Sequence, residues 1–128
     1  MVKIYSSVDG QTTVRYTVTG ELEAHEEILV PVTDIVSLKH SPKMLRIDRV
    51  FFSLNKGMVG SLHWEDDEQS LIFPMEDKSY FSFEDNFGGW SNPGRNGATG
   101  NILLKMAAGT TERVWSFALK IELTKQNR

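Results

Sequence analysis

The sequence predicts an all-β chain: a single-domain antiparallel β-sandwich, jelly-roll-like, with little or no helix. Three observations lead there. Apolar residues recur at every second position in several short runs, the period of a strand with one oily and one wet face. Glycine, proline and asparagine punctuate those runs at short intervals, as turns between strands require. Only the stretch 37–45 could hold a turn or two of helix, and Pro42 interrupts it. Short strands with almost no helix close into a sandwich or a barrel.

The elements follow in order. Val14, Tyr16 and Val18 alternate with Arg15, Thr17 and Thr19 in a strand ended by Gly20, and Ile28, Val30 and Val32 repeat the pattern before Asp34. The run 45–54 changes phase: Leu45 and Ile47 fall on one parity, Val50, Phe52 and Leu54 on the other. A one-residue slip turns every side chain to the opposite face. Either a bulge near Asp48-Arg49 restores the phase or the strand is covered on both sides, and the bulge is favoured. Asn55-Lys56-Gly57 reads as a hairpin-like turn, with Gly57 where positive φ is needed, leading into a strand over 58–64. Two short strands, 69–73 and 79–83, are separated by Pro74 and the polar run Glu76-Asp77-Lys78. Ile102 to Lys105 forms a short strand, and Ala107 to Thr111 the turn to its partner. That partner, 113–125, is the clearest strand: Trp115, Phe117, Leu119, Ile121 and Leu123 alternate with Ser116, Ala118, Lys120 and Glu122, and should face the core together.

A chain of 128 residues, 40% hydrophobic and 24% charged, suits one domain over 1–128 with a core that needs no staple. The absence of cysteine excludes disulfides, thiolate zinc sites, thiol nucleophiles and iron–sulfur clusters. A net charge of −3 gives no overall attraction for nucleic acid. No apolar run approaches the roughly 18 residues of a spanning helix, and the polar start Met1 to Ser7 does not read as a signal peptide. A soluble chain made in a reducing cytosol is expected, with neither nucleic acid nor membrane as partner.

The residues that could carry chemistry are few. The segment 87–100 holds five of the ten glycines, at Gly88, Gly89, Gly94, Gly97 and Gly100. No Gly-Lys-Ser/Thr follows and the next segment is a strand, so it is not a phosphate cradle. A structureless segment of this length in a compact domain is a functional loop or a disordered one. Trp90 and Arg95 are residue types that dominate contact hot spots. An exposed Trp90, with Arg95, Asn92 and Asn96, is therefore the expected partner-contact site. Glu65-Asp66-Asp67-Glu68 gathers oxygens of the kind calcium takes, but lacks the spacing and glycine of a calcium loop. It reads as a solvated hairpin tip between Trp64 and Leu71. His25, His40 and His63 form no metal-binding pair, and Gly60-Ser61 sits mid-strand with no nucleophile elbow around it. Hence no enzyme, no catalytic residue, no metal ligand and no organic cofactor is expected.

The spacing of several segments resembles that of a known group of proteins. These are Val14-Arg15-Tyr16-Thr17-Val18-Thr19-Gly20, Leu45-Arg46-Ile47-Asp48-Arg49-Val50, Gly57-Met58-Val59-Gly60-Ser61-Leu62-His63-Trp64, Ala98-Thr99-Gly100-Asn101-Ile102-Leu103-Leu104 and Trp115 to Lys125. Over most of the chain beyond residue 12 they resemble the small all-β virion proteins of tailed bacteriophages, especially marine and cyanobacterial phages, which include capsid decoration or cement proteins. This chain carries Thr99-Gly100-Asn101 where those proteins often have Thr-Gly-Asp, and four acidic residues after Trp64 where one is usual. The resemblance attaches no function to single side chains. It implies a structural virion protein, assembled in the host cytoplasm, that bridges major capsid subunits and contacts copies of itself. The alternative is a carbohydrate-binding or tail-fibre adhesion module, with Tyr80, Phe81, Phe83 and Trp90 forming a flat aromatic face.

Overall fold

The computed structural model describes residues 1–84 and 88–127. Among the described residues ten strands carry the fold: β1 (Val2–Asp9), β2 (Thr13–Leu22), β3 (Glu27–Pro31), β4 (Met44–Leu54), β5 (Val59–Trp64), β6 (Leu71–Glu76), β7 (Lys78–Ser82), β8 (Trp90–Ser91), β9 (Ile102–Ala107) and β10 (Trp115–Gln126). The larger sheet has the order β1-β2-β10-β4-β7, with the short β8 also paired to β4; the smaller has the order β3-β9-β5-β6. Every pairing is antiparallel. Without β1 and β8 the eight remaining strands have the two-sheet order of a jelly roll. In place of the helix allowed over 37–45 there is a single 3-10 turn, Ile35–Ser37.

Alternation builds the core between the sheets. β10 lies at the centre of the larger sheet, pairing β2 from Trp115 to Thr124 and β4 from Phe117 to Gln126. Trp115, Phe117, Leu119, Ile121 and Leu123 are all buried, as their spacing predicts. The change of phase in β4 is a bulge: Glu122 pairs with Arg49 and Leu123 with Ile47, and Asp48 has no partner. One extra residue resets the parity, so Leu45, Ile47, Val50, Phe52 and Leu54 all reach the core. The Asp48 carboxylate accepts hydrogen bonds from Arg46 Nε at 2.8 Å and Thr124 Oγ1 at 2.6 Å.

Several boundaries differ from the sequence reading, each for a physical reason. β2 does not stop at Gly20 but continues to Leu22, because the Phe117 ring opposite covers the space a side chain at Gly20 would fill. β6 runs through Pro74, which pairs with Ser61 on an edge strand, where a missing N–H is tolerated. Asn55 to Gly57 and Ala107 to Thr111 are not turns between paired strands; each carries the chain from one sheet to the other. Gly57 does take positive φ, 99°. The Trp115 indole lies against Gly57 and Gly109, its Nε1 donates to the Thr111 carbonyl at 3.0 Å, and the Arg113 guanidinium stands 4.0 Å above its ring.

β1 has no counterpart in the sequence reading. Nearly all of it is exposed on both faces, so it carries no one-sided alternation. Its far end is clasped by Lys125, whose side chain is only 4% exposed. The ammonium donates to the Asp9 carboxylate, to the Gly10 carbonyl at 2.6 Å and to the Lys39 carbonyl at 2.9 Å. The bond from Lys125 outweighs the opposing effect of desolvation and holds the Asp9 carboxyl below its usual pKa.

Candidate functional site

The glycine-rich loop is folded against the rest of the molecule. Trp90 is half-buried rather than exposed: it pairs with Ile47 as part of β8 and meets the buried Phe83 ring edge-on at 5.4 Å. The indole buries area inside its own fold, which corrects the expectation of a projecting aromatic. Asn92 is half-buried, and its Oδ1 accepts the Gly94 amide at 2.8 Å. Arg95 and Asn96 are exposed; Arg95 reaches the Glu68 carboxylate at 3.6 Å. Phe87 lies outside the described residues.

The acidic run is the other half of the same structure. The Asp67 amide donates to the Asn96 carbonyl, the Thr99 amide to the Glu65 carbonyl, and the Glu65 amide to the Asn101 carbonyl. Thr99 Oγ1 donates to the Glu65 carboxylate at 2.5 Å. Asp66 is not part of a solvated tip. It is buried, and its Oδ1 accepts the amides of Glu68 and Ser70, both at 3.1 Å. Burial raises the pKa of that carboxyl, but the backbone bonds outweigh it and leave the pKa lowered. Gly97, at φ 78°, lets the two turns approach: a Cβ there would lie 2.0 Å from Asp67 Oδ1. Among the described residues no three His, Asp or Glu side chains form a group able to hold a metal ion.

Two of the histidines serve as turn residues, His25 and His40, both at φ 66°. His63 is different. Its Nδ1 donates to the Gln69 carbonyl at 2.8 Å, which leaves Nε2 to accept from Ser61 Oγ at 2.7 Å. Strand alternation places both side chains on the outer face of the smaller sheet. β5 is paired on both sides, by β6 and β9, so the amides around Ser61 serve the ladder instead of facing a substrate oxygen.

The outer face of the larger sheet carries the most distinctive surface. Cross-strand register aligns Tyr5, Thr17, Lys120, Phe51 and Tyr80 in one row across five strands. Phe51 and Tyr80 lie ring to ring at 4.6 Å, with the Lys120 ammonium 5.1 Å from the Phe51 centroid. Tyr80 is 47% exposed and Tyr5 54%. Around the ring pair runs an open groove of about 590 Å³, lined by Thr17, Phe51, Ser53, Lys78, Tyr80 and Lys120. The neighbouring row adds Lys3 and Lys78, so this part of an acidic protein is locally basic. Beyond it Arg49 stands 3.8 Å from Glu122 and 3.6 Å from Glu84, and its hydrogen bond with Tyr80 raises its pKa further above the usual range.

This face differs from the aromatic face expected from sequence. Phe81 and Phe83 turn inward and pack on Phe73 at 5.6 Å each, Trp90 packs on Phe83, and only Tyr80 points out. Phe51 and Tyr5 replace them. The signal for Phe51 was present: of the adjacent pair Phe51-Phe52 in a strand, one ring must face outward. Aromatic rings flanked by lysines can stack on apolar or sugar C–H faces while pairing with carboxylates. No family model matches the chain, and no curated protein matches it at a significant level.

Proposed function

We propose that this chain is a non-enzymatic docking domain, a structural protein of a phage particle of the decoration or cement kind, which attaches through the outer face of its larger sheet. The supporting observation is the row Tyr5, Thr17, Lys120, Phe51 and Tyr80: aromatic rings with lysines around them, in a row that crosses the larger sheet from β1 to β7. A monomer with no need for a partner gains nothing from leaving such a patch in water. The jelly roll is an architecture that viral shell proteins and lectins share, an analogy of fold alone. Its mechanism is adhesion: rings bury area against a neighbouring shell subunit, lysines pair with that subunit's carboxylates, and each bound copy stabilises the shell by mass action. The test is a reconstruction of the particle that carries this chain. Ordered copies with Phe51 and Tyr80 against a major capsid subunit are expected; copies seated by another face, or absent from purified particles, refute it.

A second reading, carbohydrate binding, is favoured by one observation: the Phe51–Tyr80 ring pair lies in an open groove of about 590 Å³. On that reading a glycan array retains the wild-type chain, and Phe51→Ala with Tyr80→Ala weakens retention about tenfold or more, the equivalent of ~1.4 kcal/mol.

A further inference from the structure

The larger sheet ends at β1, and this edge is unlike the others. β3 carries Glu27 and Pro31, β6 carries Pro74 and a register break, and β7 is five residues long and begins with Lys78. Prolines, charges and shortness are what keep a sheet edge from pairing with another chain. β1 is eight residues long, has no proline, and between Val2 and Val8 has one charge, Lys3. Its irregularity, a register shift between Ser6 and Val8, leaves 2–6 regular. Ile4 and Tyr5 are exposed there, Ile4 by 38%.

The ladder determines which backbone groups face out. Met1 and Glu21 exchange both of their bonds, at 2.7 and 2.9 Å. Pairs in an antiparallel ladder alternate. With Lys3 opposite Thr19 and Tyr5 opposite Thr17, those residues bond inward, and Val2, Ile4 and Ser6 direct their N–H and C=O groups away from the sheet.

We propose that this edge pairs with the same edge of a second copy of the chain, antiparallel about a two-fold axis at Ile4. Bonding requires that outward residues stand opposite outward residues, which leaves few registers. Centred on Lys3, the two lysines face each other, a destabilising arrangement. Centred on Tyr5, only Ile4, Tyr5 and Ser6 pair within the regular segment. Centred on Ile4, all of 2–6 pair, with Val2 opposite Ser6, Lys3 opposite Tyr5 and Ile4 opposite Ile4. The edge is thus self-complementary, as a two-fold contact demands. Each Lys3 stem lies along a Tyr5 ring of the other copy on the outer face, and the two isoleucines meet on the inner side. The pairing joins two larger sheets into one and brings their aromatic faces onto a continuous surface. It is independent of what that face binds.

Sedimentation of the full chain over a dilution series tests the pairing. The wild type sediments as a reversible dimer. Ile4→Glu and Ile4→Lys each place like charges directly opposite across the axis and sediment as monomers, whereas an equimolar mixture of the two variants restores the dimer. Circular dichroism reports whether each variant keeps its fold. Amide exchange on the unmutated chain gives an independent readout. Ile4 and Ser6 amides gain protection of about tenfold or more at dimer concentrations, while Lys3 and Tyr5 are protected at every concentration. A wild type monomeric throughout the series, a dimer indifferent to both substitutions, or exchange at Ile4 and Ser6 that ignores concentration each overturns the proposal.

Discussion

Alanine at position 20 should change the sign of its effect according to what stands at position 117. In the wild type a Cβ on Gly20 would lie 2.4 Å from Cζ and 2.5 Å from Cε1 of Phe117. Carbon atoms settle at roughly 3.5–4.0 Å, so the ring must retreat by about 1 Å. Phe117 is buried in the centre of the core, and overpacking of this kind costs about 1–3 kcal/mol. Phe117→Ala alone removes a buried ring and costs about 3–5 kcal/mol. In that background the space over Gly20 is empty. Gly20→Ala then fills part of the cavity and reduces the freedom of the unfolded chain, a gain of about 0.5–1 kcal/mol. The two changes should therefore couple by about 1.5–4 kcal/mol, a range that reaches the upper end for residues in contact. Urea unfolding of the four proteins, each fitted by linear extrapolation, measures the cycle. Phe117→Leu serves as the milder partner if Phe117→Ala leaves too little stability to measure. Equal destabilisation by Gly20→Ala in both backgrounds would mean that the ring does not cover the glycine, and the account of why β2 continues past residue 20 fails.

Three other outcomes are expected. Trp90→Ala should cost about 1.5–3 kcal/mol in thermal unfolding through its contact with Phe83, whereas Arg95→Ala, an exposed pair with Glu68, should stay within about 0.5 kcal/mol; equal, small effects would return Trp90 to the solvent. Because the folded Asp9 pKa is lowered, its contribution is fully present above about pH 4 and is lost as pH falls through the folded value. The stability gap between wild type and Asp9→Asn should accordingly close in acid, and a gap unchanged down to about pH 2 would refute the clasp with Lys125. Gly97→Ala combines a left-handed backbone with a clash on Asp67 and should cost about 1–2 kcal/mol; calorimetry that finds it neutral would separate the two turns.

How legible these features were in the sequence depends on how one-sided their burial is. β10 is buried on one face along its length, so its alternation named all five core residues. The Asp48 bulge was equally visible, because two oily phases in one strand have few ways to share a core. β1 left no trace for the opposite reason: with both faces exposed, the residues between Lys3 and Ser7 owe nothing to a core. Gly20 and Pro74 misled because a local preference against strands was overridden by a cross-strand neighbour or an edge position. Trp90 misled because its strand partner, Ile47, lies far away in sequence, and because Phe83, close in sequence, meets it only once the chain has folded back. The outer face is built from wet-parity positions, which a search for the core discards, although Phe51 beside Phe52 had already marked one of them.

The central place of β10 has a consequence for how the molecule is made. The smaller sheet, β3-β9-β5-β6, has all its strands once residue 107 has left the ribosome. The larger sheet cannot close then, because β2 and β4 pair through β10, which is synthesised after both. Until it emerges, Val14, Tyr16 and Val18 on one side and Ile47, Val50 and Phe52 on the other wait on strands with open edges. Closing contacts across a hundred residues is slow, and nascent edges of this kind are prone to aggregation. A stop codon at the start of the last strand therefore yields two half-sheets without their keystone, and quality control in the cell should treat that product as unfolded.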